Sequence, residues 1–383
     1  MSGLDAFLAE HLAKVEAAGL RRSLRVLESE QGPEVMLDGR SYVNFSSNDY
    51  LGLAAHPSLR EAAAESLEKY GAGAGASRLI SGNHIEHERL EDVLAKFKGT
   101  EAALTFSTGY AAAVGAIPAL AGEGDVVILD KLCHASLVDG ARLSGAALRV
   151  FPHNHLEKLE SHLRWAREKY PQGRVLVLTE SVFSMDGDVA PLAEIVALKE
   201  RHGAWLMVDE AHAVGVIGRE GRGLADELGL ADRIEVQMGT LGKALGSAGA
   251  YICGSRLLRN FLINSARSFI FSTAPPPHLA AASRAAVELL QEAEGEKLMS
   301  CLWKNIEEVR GILKSGKSRS AIFPVIIGGE AEAVEYSRRL LAAGLLIPAI
   351  RYPTVAKGTA RLRVTVTASH NREALNQLST NYP

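Results

Sequence analysis

The sequence predicts an α/β fold with a mostly parallel central sheet flanked by helices, and a smaller C-terminal α+β domain. From about residue 57 onward, helical stretches such as 86–98 alternate with short apolar runs, at 102–106, 125–129, 174–179 and 204–208. Strands that alternate with helices favour a parallel sheet covered on both faces. Two later strand-like runs, 321–327 and 361–367, flank a helical stretch at 331–343 and predict the smaller domain.

The first 45 residues predict an arm that precedes this alternation. Leu4, Leu8 and Leu12 recur at helical spacing, so we expect a helix over 4–18 that ends near Gly19. The pair Asp38-Gly39 stands between two apolar runs and predicts a hairpin over 34–45.

Three consecutive prolines, Pro275 to Pro277, interrupt the chain sharply, and a long helical stretch over roughly 278–314 follows them. The sequence therefore divides into three parts. These are an N-terminal helix and hairpin arm at 1–45, a large ligand-binding α/β domain at 46–277, and a linking helix with a small C-terminal domain at 278–383.

Composition excludes several classes of protein. The 383 residues include 42 Lys and Arg against 45 Asp and Glu, which gives a net charge of −3. This near-neutral charge does not indicate binding to nucleic acid or to an anionic membrane. No run of 18 apolar residues exists, and Asp5 and Glu10 interrupt the apolar N-terminal stretch, which argues against a signal peptide. The three cysteines are far apart and form no disulfide framework. We therefore expect a cytoplasmic protein with no nucleic-acid or membrane partner.

Two glycine-rich segments resemble nucleotide-binding motifs, but each lacks residues that its motif requires. The run Gly71–Ala76 follows a helical segment rather than a strand, and Ala76 stands where a dinucleotide fingerprint needs its third glycine. The segment Gly239–Lys243 has only two residues between its glycines, and Ala244 replaces the Ser or Thr of a P-loop.

The clustered histidines give no metal site. His84 and His87 lie at helical spacing, but no third ligand is apparent, so solvated helix polarity is the favoured interpretation and no metal is expected. His153 and His155 flank Asn154 after a proline, and we interpret both as loop residues.

Three other segments carry chemistry, and the first is a buried strand that begins at Trp205 and ends in Asp209, Glu210 and His212. Ligands of open parallel sheets sit beyond the C-terminal ends of the strands, so Asp209 is well placed to contact one. Taken alone, this Asp would better be interpreted as a helix cap or an ion-pair partner.

The second segment, 236–246, predicts a short strand followed by a glycine-spaced turn that contains Lys243. Small neighbours leave this lysine room and little solvent, and a partly desolvated lysine has a lowered pKa and can form a Schiff base. Thr240 supplies a hydroxyl near backbone N–H groups, which suits a phosphate. A lone lysine in such a turn would more often be a solvated charge.

The third segment, 105–113, predicts a strand that turns into a helix at Ser107-Thr108-Gly109. Free N–H groups and the helix dipole favour phosphate at such a helix start, although an ordinary capped helix would look the same. Together, the three segments fit a ligand with a phosphate, an aldehyde for Lys243 and a basic ring nitrogen for Asp209. Pyridoxal 5′-phosphate has all three, and an ionised Asp would keep its ring nitrogen protonated.

From about Leu20 to His370, the chain resembles the α-oxoamine synthase family, which are fold type I pyridoxal-phosphate transferases. Six blocks carry this resemblance, in the order of the family. The blocks are Asn44–Gly52, Gly75–Arg78 with Ser81–Asn83, Asp130–Asp139 around Cys133-His134, Asp209–His212, Thr240–Lys243, and Pro353–Val355 with Gly358–Arg363.

The resemblance implies a catalytic set of Lys243, Asp209, His212 and His134. Lys243 would form the Schiff base and act as the base for the α-proton, and Asp209 would pair with the ring nitrogen. His212 would bond the phenolic oxygen of the cofactor, and His134 would stack on its ring and meet the substrate.

The same resemblance implies further contacts. Ser181, Gly109, Tyr110 and Thr240 would contact the cofactor, the last three around its phosphate or the adjoining ring. The amino-acid carboxylate would be held by Asn48 and by Arg363, as a bidentate fork.

Arg22 and Thr354 are implied to contact the acyl substrate, with Arg351 as a weaker candidate. Alternation over 361–367 puts Arg361 on the same face as Arg363, and by spacing alone either could be a surface charge. Tyr352 departs from the proline that is common there in the family, which puts the fit of the acyl chain in question.

The implied activity is a decarboxylative C-acyl transfer. The blocks look most like members that join L-alanine to a pimeloyl thioester, of coenzyme A or of an acyl carrier protein, in biotin synthesis. Glycine with acetyl-CoA or succinyl-CoA, and serine with a long acyl-CoA, are the alternatives within the family. A cofactor-binding regulator without catalysis is the alternative outside it, but no DNA-binding segment is apparent. The resemblance also implies a homodimer with active sites at the interface.

Overall fold

A computed structural model describes residues 2–315 and 318–382 of the chain. The arm holds helix α1 (Gly3–Ala17) and an antiparallel hairpin of β1 (Glu34–Leu37) and β2 (Arg40–Asn44). Ser2 and Asp5 form a capping box at the start of α1. Asp38 and Gly39 make the two-residue hairpin turn with φ of 49° and 69°. The predicted helix and hairpin are therefore confirmed.

Strands and helices alternate through the large α/β part of the chain, as predicted. After α2 (Pro57–Tyr70) and α3 (Ile85–Lys98), the elements are β3 (Ala102–Phe106), α4 (Gly109–Leu120), β4 (Val126–Asp130), α5 (Ala135–Leu143), β5 (Ala147–Phe151), α6 (Leu156–Lys169), β6 (Val175–Glu180), α7 (Leu192–Arg201), β7 (Trp205–Asp209), α8 (Leu224–Glu227), β8 (Val236–Thr240), β9 (Ala250–Gly254), α9 (Arg256–Ser265) and α10 (Arg267–Ile270).

The seven strands β3 to β9 form one sheet in the order β3-β9-β8-β7-β6-β4-β5. The neighbours from β8 to β5 pair in parallel, and β9 alone runs antiparallel to both β3 and β8. This arrangement confirms the mostly parallel central sheet. No helix of the described residues is long and apolar enough to cross a membrane.

The central strands are buried on both faces because their alternate side chains enter two different hydrophobic clusters. Val126 and Ile128 of β4 join one cluster, and Val127 and Leu129 join the other. A strand covered on both faces reads as a continuous apolar run in the sequence, which is why short apolar runs located these strands.

The C-terminal part contains α11 (Pro277–Leu290), α12 (Ala293–Ile312), β10 (Ile322–Gly328), α13 (Glu330–Ala342), β11 (Leu345–Leu346), β12 (Ala349–Ile350), β13 (Ala360–Thr365) and α14 (Arg372–Asn381). A small sheet has the order β10-β13-β12, and β11 pairs in parallel with β2 of the arm. The predicted α+β elements are confirmed, and the arm shares a sheet with them.

One helix prediction was wrong. The single helix expected over 278–314 is two helices, because Glu292 adopts an extended backbone (φ −106°, ψ 169°) and becomes the N-cap of α12. Gly295 permits the sharp turn, since a Cβ there would lie 2.5 Å from the Leu290 Cα.

The interpretation of His84 and His87 as solvated polarity was also wrong for His87. This side chain is 1% exposed, its Nδ1 accepts the backbone N–H of His84 at 3.0 Å, and its Nε2 lies 2.8 Å from the Pro275 carbonyl. Both ring nitrogens therefore have partners in the fold. No group of three or more His, Cys, Asp or Glu among the described residues could hold a metal ion.

A buried ion pair anchors the turn that follows β7. Lys98 Nζ, at the end of α3, lies 2.5 Å from Glu210 Oε2, and the two side chains are 1% and 0% exposed. The other carboxylate oxygen accepts the Ala225 N–H at 3.0 Å. Gly223 leaves the space for this carboxylate, because a Cβ there would lie 2.6 Å from Glu210 Oε1. Glu210 follows Asp209 directly, so this pair fixes the backbone that carries a site residue.

Replacing Lys98 with Met should lower the free energy of unfolding by roughly 3–5 kcal/mol, because it leaves Glu210 buried without a counter-charge. Urea denaturation measures this, with Lys96→Met on the exposed side of the same helix as the matched control. The control should change stability by about 0.5 kcal/mol or less. Equal stability of the two variants would contradict the role of the ion pair.

Candidate active site

The predicted site residues lie at the carboxyl edge of the central sheet. Strand β4 pairs with β5 on one side and β6 on the other, so the loops that leave these strands diverge and open a crevice. His134 follows β4, Ser181 follows β6 and His212 follows β7, while Asp209 is the last residue of β7. The topology therefore gathers side chains that are distant in sequence.

Lys243 lies in the turn between β8 and β9, and its Nζ is 3.0 Å from His212 Nε2. Burial lowers the pKa of Lys243, and the carboxylates of Asp209 and Glu180 oppose this shift. A lysine whose amine has a lowered pKa is a better nucleophile and base near neutral pH.

His212 links Lys243 to a residue of the Asn44–Gly52 block. Its Nδ1 lies 2.7 Å from the hydroxyl of Tyr50, which is 0% exposed. Burial, and then the positive charges of Lys243 and Arg363, hold the pKa of His212 well below its ordinary value. The ring is therefore neutral and has one N–H, so it donates to one neighbour and accepts from the other.

Arg363 is buried, with 6% exposure, and its hydrogen-bond partners among the described residues are uncharged. Its Nη1 donates to Asn48 Oδ1 at 3.1 Å and its Nε donates to the Ser184 carbonyl at 2.7 Å. Among the described residues no carboxylate pairs with this guanidinium. A buried guanidinium without a counter-charge is a binding group for an anion, above all a carboxylate.

Arg361 is also buried, but its charge is neutralised inside the fold. Its Nη1 lies 2.6 Å from Asp186 Oδ1 and 3.2 Å from the Met185 carbonyl. The structure thus answers the question that spacing left open, since neither Arg361 nor Arg363 is a surface charge.

Two carboxyl groups lie side by side at the ends of β6 and β7. Asp209 accepts the Ala211 N–H at 2.9 Å, and burial raises its pKa despite the charge of Lys243. Glu180 accepts the His134 N–H at 2.5 Å, and burial followed by repulsion from Asp209 raises the pKa of Glu180 to about 8. Ser181 donates its hydroxyl to the Asp209 carbonyl at 3.3 Å.

His134 is the N-cap of α5, where its Nδ1 accepts the Ser136 N–H at 3.3 Å and lies 2.8 Å from the Ser136 hydroxyl. Burial lowers the pKa of His134, and the carboxylate of Asp209 opposes this shift. The cap fixes the ring at the edge of the crevice.

A cradle for an anion lies at the start of α4. Thr108 caps the helix by accepting the Ala111 N–H, which leaves the N–H groups of Gly109 and Tyr110 without an acceptor inside the helix. The buried hydroxyl of Thr240 has no hydrogen-bond partner among the described residues. A Cβ on Gly109 would lie 2.9 Å from Thr240 Cγ2, so only glycine leaves this space open.

The two residues expected to contact the acyl substrate meet beside the arm. Arg22 Nη2 donates to Thr354 Oγ1 at 3.4 Å, on the wall of a cavity of about 720 Å³ that extends to Ser47. Arg351 donates to the carbonyl oxygens of Gly19 and Arg21 and so fixes the course of the arm.

Sequence reasoning missed two residues of this site. Tyr50 lies inside a recognised block but bonds His212, which is 162 residues away. Glu180 precedes the recognised Ser181, and nothing in the local pattern shows that its carboxyl group reaches the His134 backbone.

The fold is that of the fold type I transferases, and comparisons with known proteins identify the family more narrowly. A family model described as aminotransferase class I and II matches residues 40–380. An 8-amino-7-oxononanoate synthase of Geobacter sulfurreducens is 49% identical over 375 residues, which cover 97% of this chain and 95% of the relative.

Two solved structures are similar throughout. A serine palmitoyltransferase of S. paucimobilis, with bound PLP and myriocin, has a TM-score of 0.93 and 31% identity, over 100% of this chain and 98% of its own. An 8-amino-7-oxononanoate synthase of Francisella tularensis has a TM-score of 0.73 and 27% identity, over 88% and 97%. The chain therefore belongs to the aminotransferase class I and II family, in its α-oxoamine synthase group.

Because His212 is neutral, its ring resonances should not titrate between about pH 8 and about pH 5.5, a range that spans the ordinary histidine pKa of roughly 6.5. NMR of the histidine side chains checks this, with His212→Gln used to assign the signal. A titration midpoint near the ordinary value would contradict the buried, neutral ring.

Proposed function

We propose that the protein binds pyridoxal 5′-phosphate and catalyses the 8-amino-7-oxononanoate synthase reaction, the decarboxylative condensation of L-alanine with a pimeloyl thioester. One observation carries the proposal. Lys243, whose pKa is lowered, lies beside Asp209 and His212, and the buried guanidinium of Arg363 can bind a carboxylate. The identity of the curated relatives, at 49% and 47% for two of them, supports this choice of reaction.

The residues present fit the cofactor. Thr240, Gly109 and Tyr110 would hold its phosphate, since they offer an unpartnered hydroxyl and free N–H groups around an open space. Asp209 would pair with the ring nitrogen, and Lys243 would bind the aldehyde. Ser181, His134 and His212 would surround the ring. When bound, the cofactor supplies an electron-withdrawing ring that stabilises negative charge on the α-carbon of an amino acid.

The residues on the substrate side would have different roles, according to their charges. Arg363 and Asn48 would bind the carboxylate of the amino acid and so orient its Cα–H bond. Lys243, as a neutral amine, would take the α-proton at Nζ, and its contact with the neutral His212 leaves that amine free to accept it. Asp209 would remain the anion that stabilises a positive charge opposite it.

We propose that the acyl substrate enters along the cavity beside the arm, where Arg22 and Thr354 would meet its far end. A positive guanidinium favours an acyl chain with a terminal carboxylate, as in a pimeloyl group, over a plain fatty chain. The cavity is lined by arginines from the arm and from the C-terminal part, among them Arg21, Arg25 and Arg338. This charge suits an anionic thioester, on coenzyme A or on an acyl carrier protein.

We further propose a cytoplasmic homodimer with its active sites at the interface. Apolar side chains near the anion cradle are exposed in the single chain: Tyr110 is 47%, Phe271 71% and Ile80 80% exposed. A second copy of the chain would cover such a surface. The division into parts at 1–45, 46–277 and 278–383 also stays a proposal.

Thiol release with matched substrate pairs tests the reaction. The pairs are L-alanine with pimeloyl-CoA, glycine with acetyl-CoA, glycine with succinyl-CoA, and L-serine with palmitoyl-CoA, because the solved structure with a TM-score of 0.93 is a serine palmitoyltransferase. We expect release with the first pair. Dominant release with a glycine or serine pair would reassign the substrates while leaving the roles of Lys243 and Asp209 in place.

Lys243→Ala should abolish turnover and the covalent attachment of the cofactor that borohydride reduction and mass spectrometry detect. Lys131→Ala is the matched control, since Lys131 is exposed on the loop that precedes His134. Turnover of Lys243→Ala at the wild-type rate would disprove the assignment, and loss of turnover in the control would show that the effect is not specific.

A further inference from the structure

His153 lies behind the site and joins two of its loops. Its Nδ1 is 3.0 Å from Asp130 Oδ1, and its Nε2 is 2.7 Å from Asp188 Oδ2. An ionised carboxylate only accepts hydrogen bonds, so both ring nitrogens must donate, and only the doubly protonated imidazolium has two N–H groups. The geometry therefore defines a charged His153 between two carboxylates, rather than the plain loop residue that the sequence predicts.

The first carboxylate holds the loop that carries His134. Asp130 is 0% exposed at the end of β4. Its Oδ1 also accepts the Leu132 N–H at 2.8 Å, and its Oδ2 accepts the Asn154 N–H at 2.7 Å. His134, the N-cap of α5, lies two residues after Leu132, so the direction in which the loop leaves β4 sets the position of the His134 ring.

The second carboxylate holds the turn that supports Arg363. Asp188 belongs to a tight turn closed by the bridge between Val182 and Val189. In the same turn, the Ser184 carbonyl accepts the Arg363 Nε–H at 2.7 Å. A shift of this turn would therefore move the guanidinium that is proposed to bind the amino-acid carboxylate.

The surroundings of the ring keep it charged. Burial alone would lower the pKa of His153, but the hydrogen bonds to Asp130 and Asp188 raise it to about 10. These two carboxylates face the ring from β4 and from the turn before α7. Phe183 packs edge-on against the ring, with centroids 4.4 Å apart, and Asn154 lies beside it. The imidazolium thus persists through neutral pH.

We propose that His153 is a positioning residue: its imidazolium, held between Asp130 and Asp188, fixes the His134 loop relative to the turn that supports Arg363. Among the described residues, the His153 ring has hydrogen-bond partners in Asp130, Asp188 and Asn154, and none of these three is a proposed cofactor or substrate contact. The proposal rests on the proposed function for the identity of the site that it positions.

The charge state is tested without any activity. In the nitrogen-15 NMR spectrum, the His153 ring should show two protonated nitrogens near neutral pH, and His153→Gln assigns the signal. A ring with one protonated nitrogen near neutral pH would overturn the proposal.

The positioning role is tested by equilibrium binding of L-alanine, glycine and L-serine to the holoenzyme, all of which present the same carboxylate. His153→Gln removes the charge and one of the two ring donors, and should weaken binding about tenfold, as expected for loss of a charge-assisted hydrogen bond. Asp188→Asn keeps an acceptor oxygen but removes the charge, and should weaken binding by a smaller factor, about threefold. The KM of the acyl thioester should stay unchanged.

His155→Gln is the matched control, because His155 is exposed two residues away and only caps α6. If His153→Gln fails to fold, Asp188→Asn still tests the proposal, because a substitution of the 35% exposed Asp188 side chain should leave the fold intact. Wild-type binding in Asp188→Asn and in any folded His153→Gln, even with a lowered Tm, would overturn the proposal. Failure of the proposed function is separate: the wild type would then release thiol with another amino acid. Weaker binding of that amino acid in the variants would still support the role of His153.

Discussion

The site depends on a balance of buried charges at one edge of the sheet. The parallel strands β6 and β7 place Glu180 and Asp209 next to each other, where burial raises the pKa of both. Lys243 and Arg363 supply positive charge in the same crevice, yet neither forms an ion pair with a carboxylate among the described residues. Uncompensated charge is costly inside a protein, so polar neighbours must hold each of these groups, and a charged ligand would supply the missing counter-charge.

Close backbone packing makes this balance possible. The turn that carries Lys243 lies against the segment that carries Asn48 and Tyr50, and Gly246 permits the contact, since a Cβ there would lie 2.4 Å from the Ala54 nitrogen. Its φ of 62° is in the left-handed region that favours glycine. The contacts between Lys243 and His212 and between His212 and Tyr50 follow from that packing. A larger residue at this position would separate the proposed cofactor side of the site from the substrate side.

Local patterns in the sequence predicted most of the fold and the centre of the site. Short apolar runs located the strands of the central sheet, and short motifs indicated Lys243, Asp209 and the start of α4 as parts of the candidate site. The break at Glu292 escaped prediction because helical periodicity continues on both sides of it, without a proline. The roles of Tyr50, Glu180 and His153 escaped for a different reason. Each depends on contacts between distant segments, and no local pattern encodes the partner of a buried polar group.

Arg361 and Arg363 show what separates a structural charge from a functional one. They are two residues apart on β13, buried to 7% and 6% exposure, and both donate to carbonyl groups of the turn after β6. Asp186 neutralises Arg361, so that charge is used within the fold. Within the part of the chain that the structure describes, Arg363 donates only to the neutral Asn48, Tyr50 and Ser184, so its charge is available to a ligand. Residue type, burial and strand are the same for both, and the missing counter-charge alone distinguishes the arginine that can bind a substrate carboxylate.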